Sequence, residues 1–230
     1  KYGSLALSAT TGASVQWTYT LTGGQQSWNT DFTYTDSFYV TVKDEHGTIS
    51  DQFGVNVGIV GVNDAPVISG TAVGTVTEDT VLSATGTFTA ADVDNSDANA
   101  TNWSVVVAPN PSYGTFVLSA TSGASVNWTY TLTDGGEQSW GVNTSISEIF
   151  KVTVDDEHGA TSAQFAVTVT IRGSNDKPVI AGAAAGAVTE DSITATGTIT
   201  VTDVDADDDT ALANNWTVVA PTGEYGSLAL

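Results

Sequence analysis

The chain has 230 residues, and its 26 acidic residues against five lysines and arginines give a formal net charge of −21. Nucleic acids and anionic membranes attract basic proteins, so both are poor partners for this chain. No apolar stretch reaches the roughly 20 residues of a spanning helix, which argues against direct membrane insertion. Cysteine is absent, so disulfides and thiol chemistry are excluded. A compact chain this acidic repels itself, and we expect a divalent cation or high salt to offset the charge.

The predicted elements are strands, because hydrophobic and polar residues alternate along several runs. In chain order, the clearest runs are 87–91, 126–132, 150–154 and 165–169. In the second run, for example, Val126, Trp128 and Tyr130 share one face of the strand. Clusters of Gly, Asn, Asp and Ser separate the runs, and no segment keeps a helical period. The pattern predicts an all-β fold, namely a seven-stranded Ig-like sandwich.

The sequence repeats itself with a period of 111 or 112 residues. The six residues from Tyr2 return with changes from Tyr113 and unchanged from Tyr225. Residues 8–22 return as 119–133 with two substitutions. A period of this length is typical of whole domains in tandem, and excludes a short-period solenoid.

Pro66 and Pro178 mark the boundaries between repeats. Proline cannot donate to a central strand ladder, and each of these two follows Asn-Asp after a long β run. The frame is then the C-terminal half of a sandwich (1–62), a complete sandwich (63–174) and the N-terminal half of a third (175–230). Starting each unit at Tyr-Gly instead would put the proline joint inside a domain. We therefore expect the chain to be an internal part of a longer array.

Oxygen-bearing side chains gather at the first joint of this frame. Asn63 and Asp64 lie in the linker, and Asp156 opens a turn after a predicted strand. Asp92 and Asp94 are two residues apart at a strand end, where alternation aims both to one side. Calcium takes six to eight hard oxygens of these kinds, so convergence of linker and strand ends predicts a calcium site. The alternative is solvated turn residues that cap their own backbone.

Four motifs recur in a fixed order at the period of the repeat. In the middle unit they are Asn63-Asp-Ala-Pro66, Val76-Thr-Glu-Asp79, Asp92-Val-Asp94 and Asp155-Asp-Glu-His-Gly159. The ordered set resembles the bacterial VCBS and cadherin-like repeats of large RTX-type surface adhesins, and is similar to animal cadherins. The resemblance covers the whole chain and implies tandem Ig-like or cadherin-like β-sandwich repeats. The second Asn of the cadherin linker is replaced by Ala65 and Lys177, so we expect fewer ions per joint.

The resemblance also implies which residues bind calcium at each joint. The first set is Asn63, Asp64, Asp92, Asp94 and Asp156, and the second is Glu78, Asn175, Asp176, Asp203 and Asp205. Asp44 and Glu190 are their counterparts in the two partial units. We expect Asp44 to join a neighbouring molecule's Asp203 and Asp205, and Glu190 to reach Asn63 and Asp64 of another. Such pairing follows if residues 1–62 of one molecule complete the sandwich begun by residues 179–230 of another.

The function that the resemblance implies is mechanical. We expect an extracellular extender of a bacterial cell-surface adhesin, of the biofilm-forming kind, that calcium rigidifies and that projects a terminal binding domain. The alternative is a module whose repeats themselves bind a glycan or a protein. The similar loops 25–28 and 137–140 favour the spacer, and near-identical repetition argues against an enzyme, since catalytic sites are seldom tiled.

The tryptophans and histidines bear on these alternatives. Four tryptophans in alternating runs are predicted to pack in cores, namely Trp17, Trp103, Trp128 and Trp216. Trp28 and Trp140 lie in loop-like sequence and are the better ligand candidates. His46 and His158, one per unit, lack the partners of a closed zinc site and are predicted turn residues.

Overall fold

A computed structural model describes residues 2–23, 27–94, 102–108, 113–133, 139–205, 216–219 and 228. The regular structure of these residues is entirely β. Its strands are β1 (Gly3–Leu7), β2 (Trp17–Leu21), β3 (Thr33–Val40), β4 (Phe53–Val60), β5 (Val67–Gly70), β6 (Val73–Thr77), β7 (Ser83–Ala91), β8 (Ser104–Val107), β9 (Gly114–Leu118), β10 (Ser125–Leu132), β11 (Ser145–Thr153), β12 (Phe165–Arg172), β13 (Val179–Gly182) and β14 (Ile199–Thr202). Within these ranges there is no helix of the length and apolarity that a membrane crossing requires.

The middle of the chain forms a β-sandwich. One sheet has the strand order β5-β7-β10-β9 and the other β6-β12-β11-β8, with β6 and β12 parallel and the other neighbours antiparallel. The first strand is divided at Gly70, where it passes from one sheet to the other. Gly70 has a φ of 137°, and a Cβ there would lie 2.1 Å from the carbonyl oxygen of Thr87. Counting β5 and β6 as one divided strand, the predicted seven-stranded sandwich is confirmed.

The core of this sandwich consists of the residues that alternation placed inside. Val126, Trp128 and Tyr130 of β10 are at most 2% exposed, and Val167 of β12 is fully buried. The buried indole of Trp128 donates from Nε1 to the carbonyl oxygen of Thr71 at 3.1 Å, so its polar atom is satisfied. These contacts confirm the predicted core role of Trp128, and the 1% exposure of Trp103 does the same.

The first partial unit consists of two hairpins that repeat β9–β10 and β11–β12. A carboxylate of β3 fastens them, because Asp36 Oδ2 accepts hydrogen bonds from Tyr2 N, Gly3 N and Tyr19 Oη at 2.7, 3.0 and 2.9 Å. Burial opposes ionisation of Asp36, but these hydrogen bonds outweigh it and lower its pKa. Burial and the bond to Asp36 raise the pKa of Tyr19 to about 12. In the middle unit Glu148 accepts the equivalent bonds.

Two of the four tryptophans predicted as core residues are exposed. Trp17 is 51% exposed and Trp216 is 38% exposed, whereas Trp128, one period after Trp17, is fully buried. The physical reason is that β5, β6 and β7 complete the two sheets around Trp128 in the middle unit. Among the described strands, β2 has only β1 beside it. The prediction of core packing for Trp17 and Trp216 is therefore wrong for this chain as it stands.

Candidate metal centres

The first joint brings together four of its five predicted residues in two pairs. Asn63 Nδ2 donates to Asp156 Oδ2 at 3.0 Å, and the backbone N–H of Asp64 donates to Asp94 Oδ2 at 2.8 Å. The fifth residue, Asp92, accepts at Oδ1 from Asp94 N at 2.9 Å, which turns the chain back at the end of β7. The linker is thus fastened to the residues that follow β7 and β11.

Two oxygens of the first joint are buried and accept no hydrogen bond. Asp94 and Asp156 are each only 3% exposed. Asp156 Oδ1 accepts from two backbone N–H groups of its own turn. Asn63 Oδ1 and Asp94 Oδ1, in contrast, have no hydrogen-bond partner although both atoms are buried. A buried acceptor without a donor costs about 1–3 kcal/mol, so these atoms favour a further ligand.

The second joint repeats this arrangement and adds a glutamate from the preceding unit. Asp176 N donates to Asp205 Oδ2 at 2.8 Å, and Asp205 N donates to Asp203 Oδ1 at 3.0 Å. Glu78 follows β6, is 1% exposed, and accepts at Oε1 from Ser174 N at 2.7 Å. The other carboxylate oxygens, Glu78 Oε2, Asp176 Oδ2 and Asp205 Oδ1, are buried without a hydrogen-bond partner.

The acidic groups of the second joint raise one another's pKa values. Burial raises the pKa of Glu78, the N–H of Ser174 opposes this, and the charges of Asp79, Asp176 and Asp205 raise it further. The pKa of Asp176 is raised by burial and then by the charges of Asp79 and Asp205. The joint therefore concentrates negative charge in a poorly solvated place, which stabilises neither ionised group.

Asp79 belongs to the second joint, although sequence reasoning did not select it. The charge of Asp79 raises the pKa of Asp176, next after the effect of burial. Its φ of 61° is the only positive φ of a non-glycine residue in the described ranges. The signal was the Thr-Glu-Asp motif itself, of which only Glu78 was chosen. Asp is among the residues that tolerate this backbone region best.

Three predicted residues do not meet a joint in this chain. Asp44 is exposed, and its Oδ1 accepts from His46 N and Thr48 N of its own turn. Glu190 is exposed, and the side chain of exposed Asn175 donates to the carbonyl oxygen of Asp176. Nor do any three acidic or histidine side chains of the described ranges form a preformed metal cage.

The donor set nevertheless fits calcium better than other biological cations. All the orphaned atoms are carboxylate or amide oxygens, which hard divalent cations prefer. Sulfur is absent, and only two histidines are present, so a soft transition metal has no matching set. Residues Asn63, Asp94, Glu78, Asp176 and Asp205 are thus suited to hold calcium through atoms that no protein donor uses.

The histidines lie in the predicted turns. His46 is exposed, whereas His158 places Nε2 2.8 Å from Asp31 Oδ2. That contact joins the first unit to the turn that carries Asp156. Trp28 and Trp140, the predicted ligand candidates, are half-buried. Each packs edge-on against a tyrosine, with ring centroids 4.8 Å apart for Trp28 and Tyr2 and 4.9 Å apart for Trp140 and Tyr113.

The raised pKa values predict how the chain responds to pH in excess chelator. A carboxyl whose folded pKa exceeds its ordinary value binds more protons when folded, so stability increases as pH falls through the folded pKa. For Glu78 and Asp176 this gain spans pH values above their ordinary 4.5 and 3.8. Asp36, with a lowered pKa, loses its contribution only below 3.8. We expect a higher melting temperature at pH 5 than at pH 7 by circular dichroism; a lower one would contradict the prediction.

Comparison with known proteins gives a family match for part of the chain. Residues 63–173 match the family model of the bacterial cadherin-like domain. A search of curated proteins found no match.

Three solved structures illustrate what the chain is similar to. One is the sialic acid binding region of a Streptococcus sanguinis SK1 adhesin, at 17% identity and a TM-score of 0.33, covering 61% of this chain and 40% of that one. Another is the D00–D0 domain of intimin, at 13% identity and a TM-score of 0.28, covering 72% of this chain and 77% of that one. A third is protocadherin gamma B7, extracellular cadherin domains 1–4. Its identity is 16% and its TM-score 0.34, and the match covers 64% of this chain and 35% of that one. The chain thus spans less than half of the adhesin region.

Proposed function

We propose that this chain, whose residues 63–173 match the bacterial cadherin-like domain, is a calcium-rigidified extender of an extracellular adhesin. Its units follow the frame 1–62, 63–174 and 175–230, and it performs no catalysis. The observation that carries the proposal is the set of buried carboxylate oxygens without donors at both joints. An acidic surface alone would leave such oxygens in water.

The residues of each joint have distinct tasks in this proposal. Backbone donors already fix one oxygen of Glu78, Asp94 and Asp205 in place, so the second oxygen of each is oriented before any ligand binds. Bound calcium would supply the positive charge that the clustered carboxylates lack. Glu78 comes from the middle unit, whereas Asp205 comes from the unit after it. A shared ligand would therefore couple two neighbouring units.

The mechanical consequence is a joint whose stiffness depends on the cation. In its absence, the carboxylates of Glu78, Asp79 and Asp176 repel one another, which favours separation of the units. Extracellular calcium is concentrated enough to saturate the weak sites of extracellular modules, whereas cytosolic calcium is not. Such a chain becomes rigid on export and projects a terminal adhesive domain from the bacterial surface. Neighbouring repeats are its principal partners.

Thermal unfolding in calcium and in chelator tests this function. At fixed ionic strength, we expect millimolar calcium to raise the melting temperature well above its value in excess chelator. A ligand at one hundred times its dissociation constant stabilises by about 2.7 kcal/mol, and about 1 kcal/mol shifts the melting of a 60–100-residue domain by roughly 4–8 °C. Circular dichroism follows the transition.

Magnesium and sodium provide the controls. Magnesium requires near-ideal octahedral geometry and dehydrates reluctantly, so the same concentration should stabilise less. Matched sodium should reproduce none of the calcium-specific gain. Equal melting in calcium and chelator would overturn the proposal, and the acidic residues would then be solvated surface. The repeats themselves would become the candidate binders of a glycan or protein.

A further inference from the structure

The first partial unit exposes apolar side chains whose counterparts in the middle unit are buried. Trp17 is 51% exposed and Val42 is 67% exposed. One period later, Trp128 and Val154 are both fully buried. The same side chains therefore belong to a core in one unit and to a surface in the other. We call this exposed surface of residues 2–62 the head face.

A cavity of about 470 Å³ opens on the head face. Its lining includes Leu7, Gly12, Val15, Val40, Val42 and Phe53. In the middle unit, the rings of Phe88 and Trp103 occupy the equivalent place. Phe88 lies 5.6 Å from the ring of Phe165, the counterpart of Phe53. Trp103 donates from Nε1 to the oxygen of Gly123, the counterpart of Gly12, at 2.8 Å. The cavity is thus positioned to receive two large apolar side chains.

The residues that match these two rings lie exposed near the other end of the chain. We call residues 175–205 and 216–219 the tail segment. Its strands β13 and β14 pair in the register of β5 and β7, since Ile180 opposes Val201 as Ile68 opposes Ala90. At the positions of Phe88 and Trp103 it carries Ile199, which is 42% exposed, and Trp216, which is 38% exposed.

The tail segment also keeps the space that an indole fills in the middle unit. A Cβ on Gly86 would lie 2.4 Å from Nε1 of Trp128, so only glycine leaves room for that ring. At the equivalent Gly197, the described atoms within 4 Å of such a Cβ belong to Ala183 alone. Gly186, the counterpart of Gly74, has only Ala195 as a described neighbour within that distance. The gap is formed, and no described aromatic ring enters it.

We propose that the head face of one copy of this chain binds the tail segment of a second copy. Trp17 enters the gap over Gly197 and donates its indole N–H to the oxygen of Ala183, as Trp128 does to Thr71. Ile199 and Trp216 of the second copy fill the cavity. The contact continues, residue for residue, an interface that each chain already makes inside its middle unit.

The extent of this contact suits a stable complex. The tail segment has enough residues to supply the roughly 20–30 residues a side of a standard interface. Large aromatic side chains bury roughly 150–250 Å² each, and the contact would cover Trp17, Phe53 and Trp216. Because the head face and the tail segment lie on different parts of the chain, each copy in a pair still has one of the two unoccupied. Copies therefore join in series or close into a ring.

Sedimentation velocity of the full 230-residue chain tests the association, in calcium and over a dilution series from about 1 µM to about 1 mM. We expect the mass to rise with concentration from that of the 23.6 kDa monomer through successive multiples. A monomer throughout the series would overturn the proposal. A calcium requirement is not part of the expectation, so this result is separable from the melting experiment.

Two variants that block opposite ends test the head-to-tail geometry. Gly197→Leu fills the indole gap of the tail, and Val42→Asp places a charge on the head face at a side chain exposed in the monomer. Each variant alone should stay monomeric. Their equimolar mixture should form a dimer and nothing larger. The intact head of Gly197→Leu binds the intact tail of Val42→Asp, and both outer ends of that dimer are blocked. Gly197→Leu that still associates alone, or a mixture that stays monomeric, would overturn the proposal.

Thr200→Leu is the matched control. It adds the same side chain three residues later, within β14, on the face that points away from the gap. We expect it to associate like the unchanged chain, with at least tenfold higher affinity than Gly197→Leu. Loss of association in Thr200→Leu would mean that bulk anywhere on this strand disturbs the tail, and would overturn the assignment of the gap.

Discussion

In excess chelator, Glu78→Gln is expected to raise the melting temperature of the chain, and in millimolar calcium most of that gain is expected to disappear. Glu78 is 1% exposed, and burial and the charges of Asp79, Asp176 and Asp205 raise its pKa. Glutamine keeps the shape and the acceptor for Ser174 N, but removes a buried charge and adds an amide donor. The chelated chain should gain on the order of 1–3 kcal/mol, the usual cost of an unsatisfied buried polar group.

The smaller gain in calcium has a separate physical cause, which is weaker calcium binding. A carboxylate is a stronger calcium ligand than an amide oxygen, because it brings a full negative charge and can bind through two oxygens. If the substitution weakens calcium binding tenfold, the stabilisation by saturating calcium falls by about 1.4 kcal/mol. Thermal melting by circular dichroism, with and without chelator and at a concentration where the chain is monomeric, measures both effects.

Glu190→Gln is the matched control for this experiment. Glu190 is the counterpart of Glu78 one period later and is exposed. Its substitution by glutamine changes the net charge by the same amount. We expect only small shifts in either condition. If both variants shift alike, the effect belongs to net charge and not to the joint. If Glu78→Gln destabilises the chain in both conditions, Glu78 acts only as a structural acceptor for Ser174, which contradicts a calcium-binding role.

Alternation along the chain was sufficient to predict the architecture and the core of the middle unit. The faces assigned to β10 and β12 are those that Val126, Trp128 and Val167 occupy, at 0–2% exposure. The same rule failed for Trp17, because alternation tells which face of a strand is apolar but not whether another strand covers that face. Pairing partners such as β7 lie far away in sequence, and local pattern carries no information about them.

The joint residues were predictable to the extent that motifs recur at one period. The linker bonds of Asn63 and Asp64 to Asp156 and Asp94 join residues up to 93 positions apart, and the ordered motifs indicated them. Asp79 was missed, since the motif does not show that this residue has a positive φ or that its charge acts on Asp176. Backbone conformation of that kind is not visible in composition or spacing.

Trp128→Ala is expected to cost about 3–5 kcal/mol in the free energy of unfolding, whereas Trp17→Ala should cost a small fraction of that in dilute solution. The two tryptophans occupy the same position of the repeat, so sequence context is matched and only coverage differs. Trp128 is fully buried and hydrogen-bonded to Thr71, while half of Trp17 meets solvent. Urea unfolding followed by far-ultraviolet circular dichroism measures both.

Concentration then separates the two ways in which Trp17 can matter. If the chain associates head to tail, Trp17→Ala becomes costly only where the unchanged chain is oligomeric, because only there is its indole covered. Trp128→Ala should cost the same at every concentration, since its cover belongs to its own chain. A Trp17→Ala cost equal to that of Trp128→Ala at high dilution would mean that another part of the same chain covers the head face, and would contradict both the exposure of Trp17 and the proposed association.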